Sequence, residues 1–238
     1  MTADLAATHR RRLRDIWRSA GWPCRDAVEL ELLAAGLLER QYDEQGRETL
    51  RVSDAGLQIL AATRQRNQRA FDAHETLVAL VAREMQRAGR VVWRGLSLRA
   101  PVAAEDGATN WAIAMPDVFS IRHTTVEDYT EPVVHEIKVS RADLLSDLRR
   151  PSKGAAYRAL ASQCWYVIRR GIAQPDEVPP DYGVMLAEGT ALEVARAAPR
   201  RAMRLPFAVW MALARADAEP APDDGQALLG AGDEPPPS

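Results

Sequence analysis

Two short segments, Met115-Pro116-Asp117 and Val134-His135-Glu136-Ile137-Lys138-Val139-Ser140, decide the fold of this chain. The second segment is rich in β-branched residues, which favours a strand. Side chains alternate along a strand, so Glu136 and Lys138 share one face. Their neighbours are mostly apolar, as in the central strand of a sheet, where a charge is costly unless it is paired or bound to metal. The two segments therefore predict a buried strand that carries a functional site.

The flanking sequence predicts a mixed α/β domain around this strand. A helix with an apolar stripe precedes the site, and two helices separated by Pro151 follow it. Periodicity predicts strands at residues 91–98, 111–121, 132–139, 164–169, 183–187 and 191–195, and helices at 72–88, 140–150, 153–162 and 206–215. The order is helix, three strands, helix and strand, with Pro116-Asp117 before the third strand.

The chemistry of this arrangement is that of a hydrolytic metal site. Asp117, Glu136 and Lys138 would converge from neighbouring strands. Carboxylate oxygens suit Mg²⁺ or Mn²⁺, and a lysine beside them could act on a phosphodiester. The ordinary alternative is an exposed strand edge that shows alternate charges, which the apolar flanks of Glu136 disfavour.

The order of elements with PD and ExK resembles the PD-(D/E)xK nuclease superfamily over residues 72–195. The stretches HEIKVSRADLLSDLRRPSKGAAYRALASQCWYVI (135–168) and YGVMLAEGTALEVARAA (182–198) resemble the MmcB-like family of bacterial DNA-repair proteins. The resemblance implies a restriction-endonuclease-like αβββαβ core. It also implies that Asp117, Glu136 and the Ile137 carbonyl ligate Mg²⁺ or Mn²⁺.

The same resemblance assigns two further catalytic residues. Lys138 would position and deprotonate the attacking water and stabilise negative charge. Glu75 matches an acidic residue that some members use as an additional ligand. With Asp72 as an N-cap, however, Glu75 would stand at N3 and complete a capping box instead.

Nucleic-acid contacts are expected on the helices after the site. Arg149 and Arg150 are basic candidates for backbone phosphate contact. Lys153 and Tyr157 are four residues apart, so they share one helix face, and each could hold a DNA phosphate. Core packing is the alternative for Tyr157. Asp147 is expected to face solvent or pair with another helix.

Residues 1–68 resemble a winged-helix domain. Two helices near residues 8–20 and 25–35 precede a predicted hairpin, and AAGLLER (34–40) with DEQGRETLRVSDAGLQIL (43–60) matches the second half of that fold. Winged helices commonly bind duplex DNA, but the second helix here is acidic and would repel phosphates. Protein contact or dimerisation is therefore an equal alternative. DNA contact would involve residues 10–14 or the hairpin arginines Arg40, Arg47 and Arg51.

Composition places further bounds on the chain of 238 residues. Apolar and charged fractions of 47% and 27% are typical of globular proteins, and no apolar run is long enough to span a bilayer. Residues 216–238 are predicted to be a disordered tail with six acidic and no basic residues, so the rest of the chain carries +4 against −2 for the whole. Two unpatterned cysteines and the lack of a signal-type segment predict a bacterial-type cytoplasm, with association with the nucleoid. The sequence has no phosphate-binding glycine motif, which argues against a dinucleotide fold and a P-loop.

The sequence therefore predicts a metal-dependent deoxyribonuclease, with endonuclease favoured over exonuclease, in DNA repair or in defence against foreign DNA. Its expected partner is duplex or branched DNA. The PD and ExK motifs do not distinguish DNA from RNA as the substrate. A homodimer is compatible with the sequence. The alternative is a non-catalytic DNA-binding or regulatory protein that keeps the nuclease fold. A protein-contact adaptor is a third, weaker interpretation.

Overall fold

A computed structural model describes residues 5–103 and 108–220. The chain divides into two compact units, Met1–Phe71 and Asp72–Ser238. The boundary between them falls inside a long helix that both units share. Each unit has its own apolar core.

The first unit has the predicted order of two helices, a hairpin and a third helix. Its elements are α1 (Ala7–Arg18), α2 (Ala27–Ala34), β1 (Leu38–Tyr42), β2 (Glu48–Val52) and the first part of α3 (Asp54–Arg87). The two strands are antiparallel, with Leu38 opposite Val52. Ser53 caps α3 as predicted, because its Oγ accepts a hydrogen bond from the Gly56 N–H at 3.2 Å.

Helix α3 differs from its prediction because it runs unbroken for 34 residues. The sequence predicted a linker at 61–71 and a new helix capped by Asp72. That cap prediction is wrong, since Asp72 lies inside the helix. Residues 57–88 contain no proline or glycine, so a helix that has begun at Asp54 continues by cooperative propagation. Over the described ranges, no helix is both long and apolar enough to cross a membrane.

The second unit is built on a mixed six-stranded sheet, which confirms the predicted α/β class. Its strands, in spatial order, are β10 (Ala191–Arg196), β9 (Gly183–Glu188), β8 (Gln163–Arg169), β7 (Val133–Lys138), β6 (Val118–Arg122) and β3 (Arg90–Arg94). Strand β7 is parallel to β8 and antiparallel to β6. All six residues of β7 are buried, as the apolar flanks of Glu136 predicted.

Two strands form a separate hairpin between β3 and β6. Strands β4 (Leu98–Ala103) and β5 (Thr109–Ala114) pair only with each other. The sequence predicted 111–121 as one strand, and that prediction is wrong because Pro116 interrupts it. Proline has no N–H for the ladder, so the chain leaves one sheet before Pro116 and enters the other at Val118.

Helices cover both faces of the six-stranded sheet. Val133, His135 and Ile137 face α3, where Val133 and Ile137 share a core with Val78 and Val81. The opposite face packs against α4 (Arg141–Leu148), α5 (Pro151–Leu160) and α6 (Phe207–Arg215) through residues that include Leu144, Leu160 and Val209. The predicted alternation along β7 is therefore confirmed.

The segment after α6 is tied to the sheet edge for a few residues. The Glu219 N–H donates to the Val92 carbonyl at 2.8 Å, and the Glu219 carboxylate lies 2.7 Å from Arg94 Nε. Residues 216–220 are thus held by specific contacts, although the predicted disordered tail began at 216. The rest of that predicted tail, 221–238, lies outside the described residues.

His135 gives the fold a sensitivity to acid. Its ring is 1% exposed and stacks on Trp165 with centroids 6.4 Å apart. Burial and the positive charge of Arg90 lower the pKa of His135 to about 3, against an ordinary value of 6.5. Between these values only the unfolded chain takes up the proton. The free energy of unfolding should therefore fall by about 1.4 kcal/mol per pH unit below pH 6.5.

We predict that His135→Phe flattens this pH dependence, because phenylalanine keeps the stacked ring and cannot be protonated. Urea unfolding of both proteins at pH 7.5, 6 and 5 measures the slope. His123→Phe is the matched control, since the His123 side chain is exposed. Parallel stability profiles for wild type and His135→Phe would contradict the prediction.

Candidate active site

Asp117 lies beside the end of β7 that is not paired with β6. Pairing between β6 and β7 ends at Val118 opposite His135, so the next residues of β7 have no β6 partner. There the Ile137 N–H donates to Asp117 Oδ2 at 2.7 Å. This bond fixes the Asp117 carboxylate next to the strand that carries Glu136 and Lys138. The sequence expected the Ile137 carbonyl as a metal ligand, and the structure adds this role for its N–H.

Glu136 is a buried carboxylate in which one oxygen accepts hydrogen bonds and the other has no partner among the described residues. Its residue is 4% exposed, and Oε1 accepts from Lys138 Nζ at 2.9 Å and from Lys153 Nζ at 2.5 Å. The other oxygen, Oε2, is buried and has no hydrogen-bond partner within the described part of the chain. Glu136 is therefore a buried carboxylate with one oxygen that can still accept a hydrogen bond or a cation.

Lys138 is held as a cation by its surroundings. Its ammonium also lies 3.3 Å from Asp143 Oδ2 and 3.6 Å from Asp147 Oδ2. Burial lowers the pKa of Lys138, but the charges of Glu136, Asp147 and Asp143 together raise it above its ordinary value. In this geometry Lys138 supplies positive charge and does not accept a proton.

Asp147 of α4 completes the cluster; it pairs with Lys153 of α5, as the helix-pairing alternative expected, and the solvent-facing alternative is wrong. It is 6% exposed, and its carboxylate accepts from Lys153 Nζ at 2.6 Å and from the Tyr166 hydroxyl at 3.0 Å. Burial raises the pKa of Asp147, but Lys153 and Lys138 outweigh it, so the pKa is lowered and the group stays ionised. A signal was present: Asp147 follows the buried Leu144 by three residues and so shares its inward helix face.

The predicted phosphate-contact residues separate into two groups. Arg149 and Arg150 are exposed in the link between α4 and α5, as a phosphate contact requires. Tyr157 is 2% exposed, which favours the core-packing alternative. Its hydroxyl donates to the Met115 carbonyl at 3.0 Å. Lys153 is partly exposed but is engaged by Glu136 and Asp147 in this structure.

Helix α3 brings His74 and Glu75 to Asp117. His74 Nε2 lies 3.4 Å from Asp117 Oδ2, and its Nδ1 lies 3.2 Å from Glu75 Oε1. The hydrogen bond to Asp117 raises the pKa of His74 to about 9. The pair therefore stabilises the fold fully below pH 6.5, and this contribution is lost as the pH rises through about 9. No spacing in the sequence pointed to His74.

Asp117, His74 and Glu75 line one pocket of about 360 Å³ together with Arg94 and Glu219. Glu75 is thus placed with a candidate ligand, and its capping alternative is wrong because Asp72 is inside α3. Glu136 is not part of this lining. Across residues 5–103 and 108–220, no group of three or more His, Cys, Asp or Glu is placed to hold a metal ion.

No protein-family description matches the chain, and no curated protein matches it. Among solved structures, a protein of unknown function from Silicibacter pomeroyi matches with 22% sequence identity and a TM-score of 0.38. That match covers 56% of this chain and 76% of the other.

We predict that Asp147→Asn destabilises the protein by about 3 kcal/mol. Glu136, Asp147, Lys138 and Lys153 carry no net charge as a group, and the substitution leaves a buried excess of one positive charge. Urea unfolding at pH 7 measures the loss.

Asp143→Asn is the matched control on the same helix. Its side chain is 52% exposed, so its pair with Lys138 should contribute less than about 1 kcal/mol. Equal effects of the two substitutions would show that Asp147 is not part of a buried cluster.

Proposed function

We propose that this chain is a metal-dependent nuclease that hydrolyses phosphodiester bonds in DNA, with Mg²⁺ or Mn²⁺ as its cofactor. One observation carries the proposal: the buried Glu136 carboxylate has an oxygen without a hydrogen-bond partner in the described residues. A buried unsatisfied acceptor costs about 1–3 kcal/mol, and more when it is charged. Costly buried charges of this kind are concentrated at functional sites.

The residue types of the predicted ligand set suit a hard divalent ion. Asp117 and Glu136 supply carboxylate oxygens, the ligands that Mg²⁺ and Mn²⁺ prefer. Asp117, just before β6, accepts a hydrogen bond from the N–H of Ile137, the residue after Glu136 on β7, so its carboxylate is bound to the same strand that carries Glu136. Asp117, Glu136 and the Ile137 carbonyl would hold the ion, and Glu75 lines the same pocket as Asp117. When bound, the ion would supply Lewis-acid polarisation of the phosphodiester.

The lysines and arginines would bind the phosphates of the substrate and stabilise their negative charge. Lys138 is held protonated, so its role is to stabilise the charge that develops on the phosphate. Lys153 would leave Glu136 when that carboxylate takes a cation, because like charges repel, and its ammonium would then pair with phosphate. Arg149 and Arg150 would hold the backbone without regard to sequence.

The choice of DNA rests on the resemblance to DNA-repair nucleases described above. Duplex or branched DNA is the proposed substrate, with endonucleolytic cleavage, in repair or in defence against foreign DNA. The phosphate chemistry of the site is the same for RNA, so both polymers belong in the assay.

A second function is favoured by a different observation. Glu136 Oε1 already accepts from two lysines, and no metal-binding group of three side chains is found in the described ranges. A protein that keeps this fold and binds DNA without cutting it would show such an internally neutralised cluster. Metal binding separates the two functions.

The test of the nuclease is cleavage of supercoiled plasmid, single-stranded DNA, branched DNA and RNA with Mg²⁺ or Mn²⁺. Asp117→Asn, Glu136→Gln and Lys138→Met should each lower the cleavage rate at least about 100-fold, because the first two remove proposed metal ligands and the third removes the positive charge proposed to stabilise the phosphate. Asp143→Asn, on the exposed side of Lys138, is the control and should retain activity.

Calorimetry with Mn²⁺ completes this test. Binding that disappears in Asp117→Asn and Glu136→Gln supports the proposed ligands. Cleavage that persists in Asp117→Asn and Lys138→Met overturns the assignment of these residues. No cleavage by the wild type, with no Mn²⁺ binding that depends on the two carboxylates, favours the non-catalytic protein.

A further inference from the structure

The first unit contains a large groove between α1 and the beginning of α3. Its volume is about 950 Å³, and every residue that lines it belongs to residues 10–71. We call it the α1–α3 groove and define it by Arg14, Trp17 and Arg18 on α1 and by Arg64, Asn67 and Phe71 on α3. It does not include the hairpin or α2, the elements that a winged-helix domain would use for DNA.

The groove is strongly basic. Four arginines line it, and none of its lining residues is Asp or Glu. Arg14 and Arg18 are one turn apart on α1, so they share a helix face. Arg14, Arg18 and Arg64 take part in none of the ion pairs found between described residues. Their charge is available to a partner.

Other arginines of the same unit are neutralised by neighbouring acids. Arg12 pairs with Asp26 at 2.7 Å. In the hairpin, Arg47 pairs with Asp43 at 2.7 Å and Arg40 with Glu48 at 3.1 Å. The predicted contacts of Arg40 and Arg47 with DNA are thus weakened by internal pairing, whereas Arg14, Arg18 and Arg64 of the groove take part in none of the ion pairs found between described residues.

The groove also exposes two aromatic rings. Trp17 is 59% exposed and Phe71 is 60% exposed. Trp17 follows Arg14 by three residues on α1, and Phe71 follows Arg64 by seven on α3, so each ring shares a helix face with an arginine. Aromatic faces beside a basic track are the arrangement that binds single-stranded nucleic acid, in which bases stack on the rings and phosphates meet the cations.

Two other occupants fit less well. A second copy of the same groove would bring like charges together, which costs several kcal/mol in an interface. Duplex DNA offers phosphates, but its bases are stacked on each other and present only their edges in the grooves. A polyanion with free aromatic faces satisfies both features at once.

We propose that the α1–α3 groove binds single-stranded DNA, with bases stacked on Trp17 and Phe71 and phosphates held by Arg14, Arg18 and Arg64. The choice of DNA as the polymer rests on the proposed nuclease function. The groove would hold an unpaired strand of a branched or damaged duplex independently of the metal site in the second unit.

The test is fluorescence anisotropy with a labelled oligothymidylate of 20 nucleotides, in EDTA, over a range of salt concentrations. Trp17→Ala and Phe71→Ala should each weaken binding about tenfold through lost stacking. The triple variant Arg14→Ala, Arg18→Ala, Arg64→Ala should reduce the slope of log affinity against log salt by about 2.

Matched controls separate the groove from general surface effects. Trp22 is 63% exposed but does not line the groove, so Trp22→Ala should bind like the wild type. Thermal melting of each variant establishes that it is folded. A duplex of the same length and a polyglutamate peptide should bind more weakly, because they lack free base faces.

Several outcomes would overturn the proposal. They are wild-type affinity in Trp17→Ala and Phe71→Ala, the same loss in Trp22→Ala, or polyglutamate binding as tight as that of the oligothymidylate. Tighter binding of oligouridylate would overturn the choice of DNA. EDTA removes the metal ions that hydrolysis would need. Failure of this assay therefore overturns only the proposal that the groove binds single-stranded DNA, whereas absence of metal-dependent cleavage overturns only the proposed nuclease function.

Discussion

The buried cluster of Glu136, Lys138, Asp147 and Lys153 is the constraint on which the second unit depends. Its two carboxylates and two ammonium groups have no net charge together. Glu136 and Lys138 belong to β7, whose six residues are all buried, and Asp147 and Lys153 reach them from the neighbouring helices. Removing any one of them would leave an uncompensated charge in the interior. Buried ion pairs are a poor route to stability compared with apolar packing, and their presence supports the proposed chemical role of this position. The Glu136 oxygen without a hydrogen-bond partner among the described residues supports the same proposal.

Helix α5 connects this cluster to the segment that carries Asp117. Lys153 and Tyr157 lie one turn apart on the same face of the helix. Lys153 holds Glu136 and Asp147, while the Tyr157 hydroxyl holds the carbonyl of Met115, two residues before Asp117. Pro116 lies between the two sheets, and the segment around it is held by the Tyr157 contact and by the Gly95 N–H, which donates to the Asp117 carbonyl at 3.2 Å. One helix face thus positions both halves of the candidate site.

The first unit distributes its charge in an unexpected way for a winged-helix-like domain. Two of the hairpin arginines, Arg40 and Arg47, are paired with acids of the same hairpin, and α2 presents acidic residues. Unpaired arginines and exposed aromatic rings lie instead between α1 and α3. The two units therefore offer different chemistry: buried carboxylates with lysines in one, and an open basic surface in the other.

The sequence by itself determined the class of fold, the faces of β7 and the residue types of the site. These follow from local rules, since alternation and apolar flanks are properties of neighbouring residues. The tertiary structure alone decided that His74 meets Asp117, that Tyr157 is buried against Met115 and that α3 continues through Asp72. Asp147 combines both sources of information: the sequence predicted which helix face it occupies, but only the tertiary structure showed its two lysine partners. The physical reason is that periodicity fixes which face a side chain occupies, whereas its partners come from elements that are distant in the chain and meet only when the core packs.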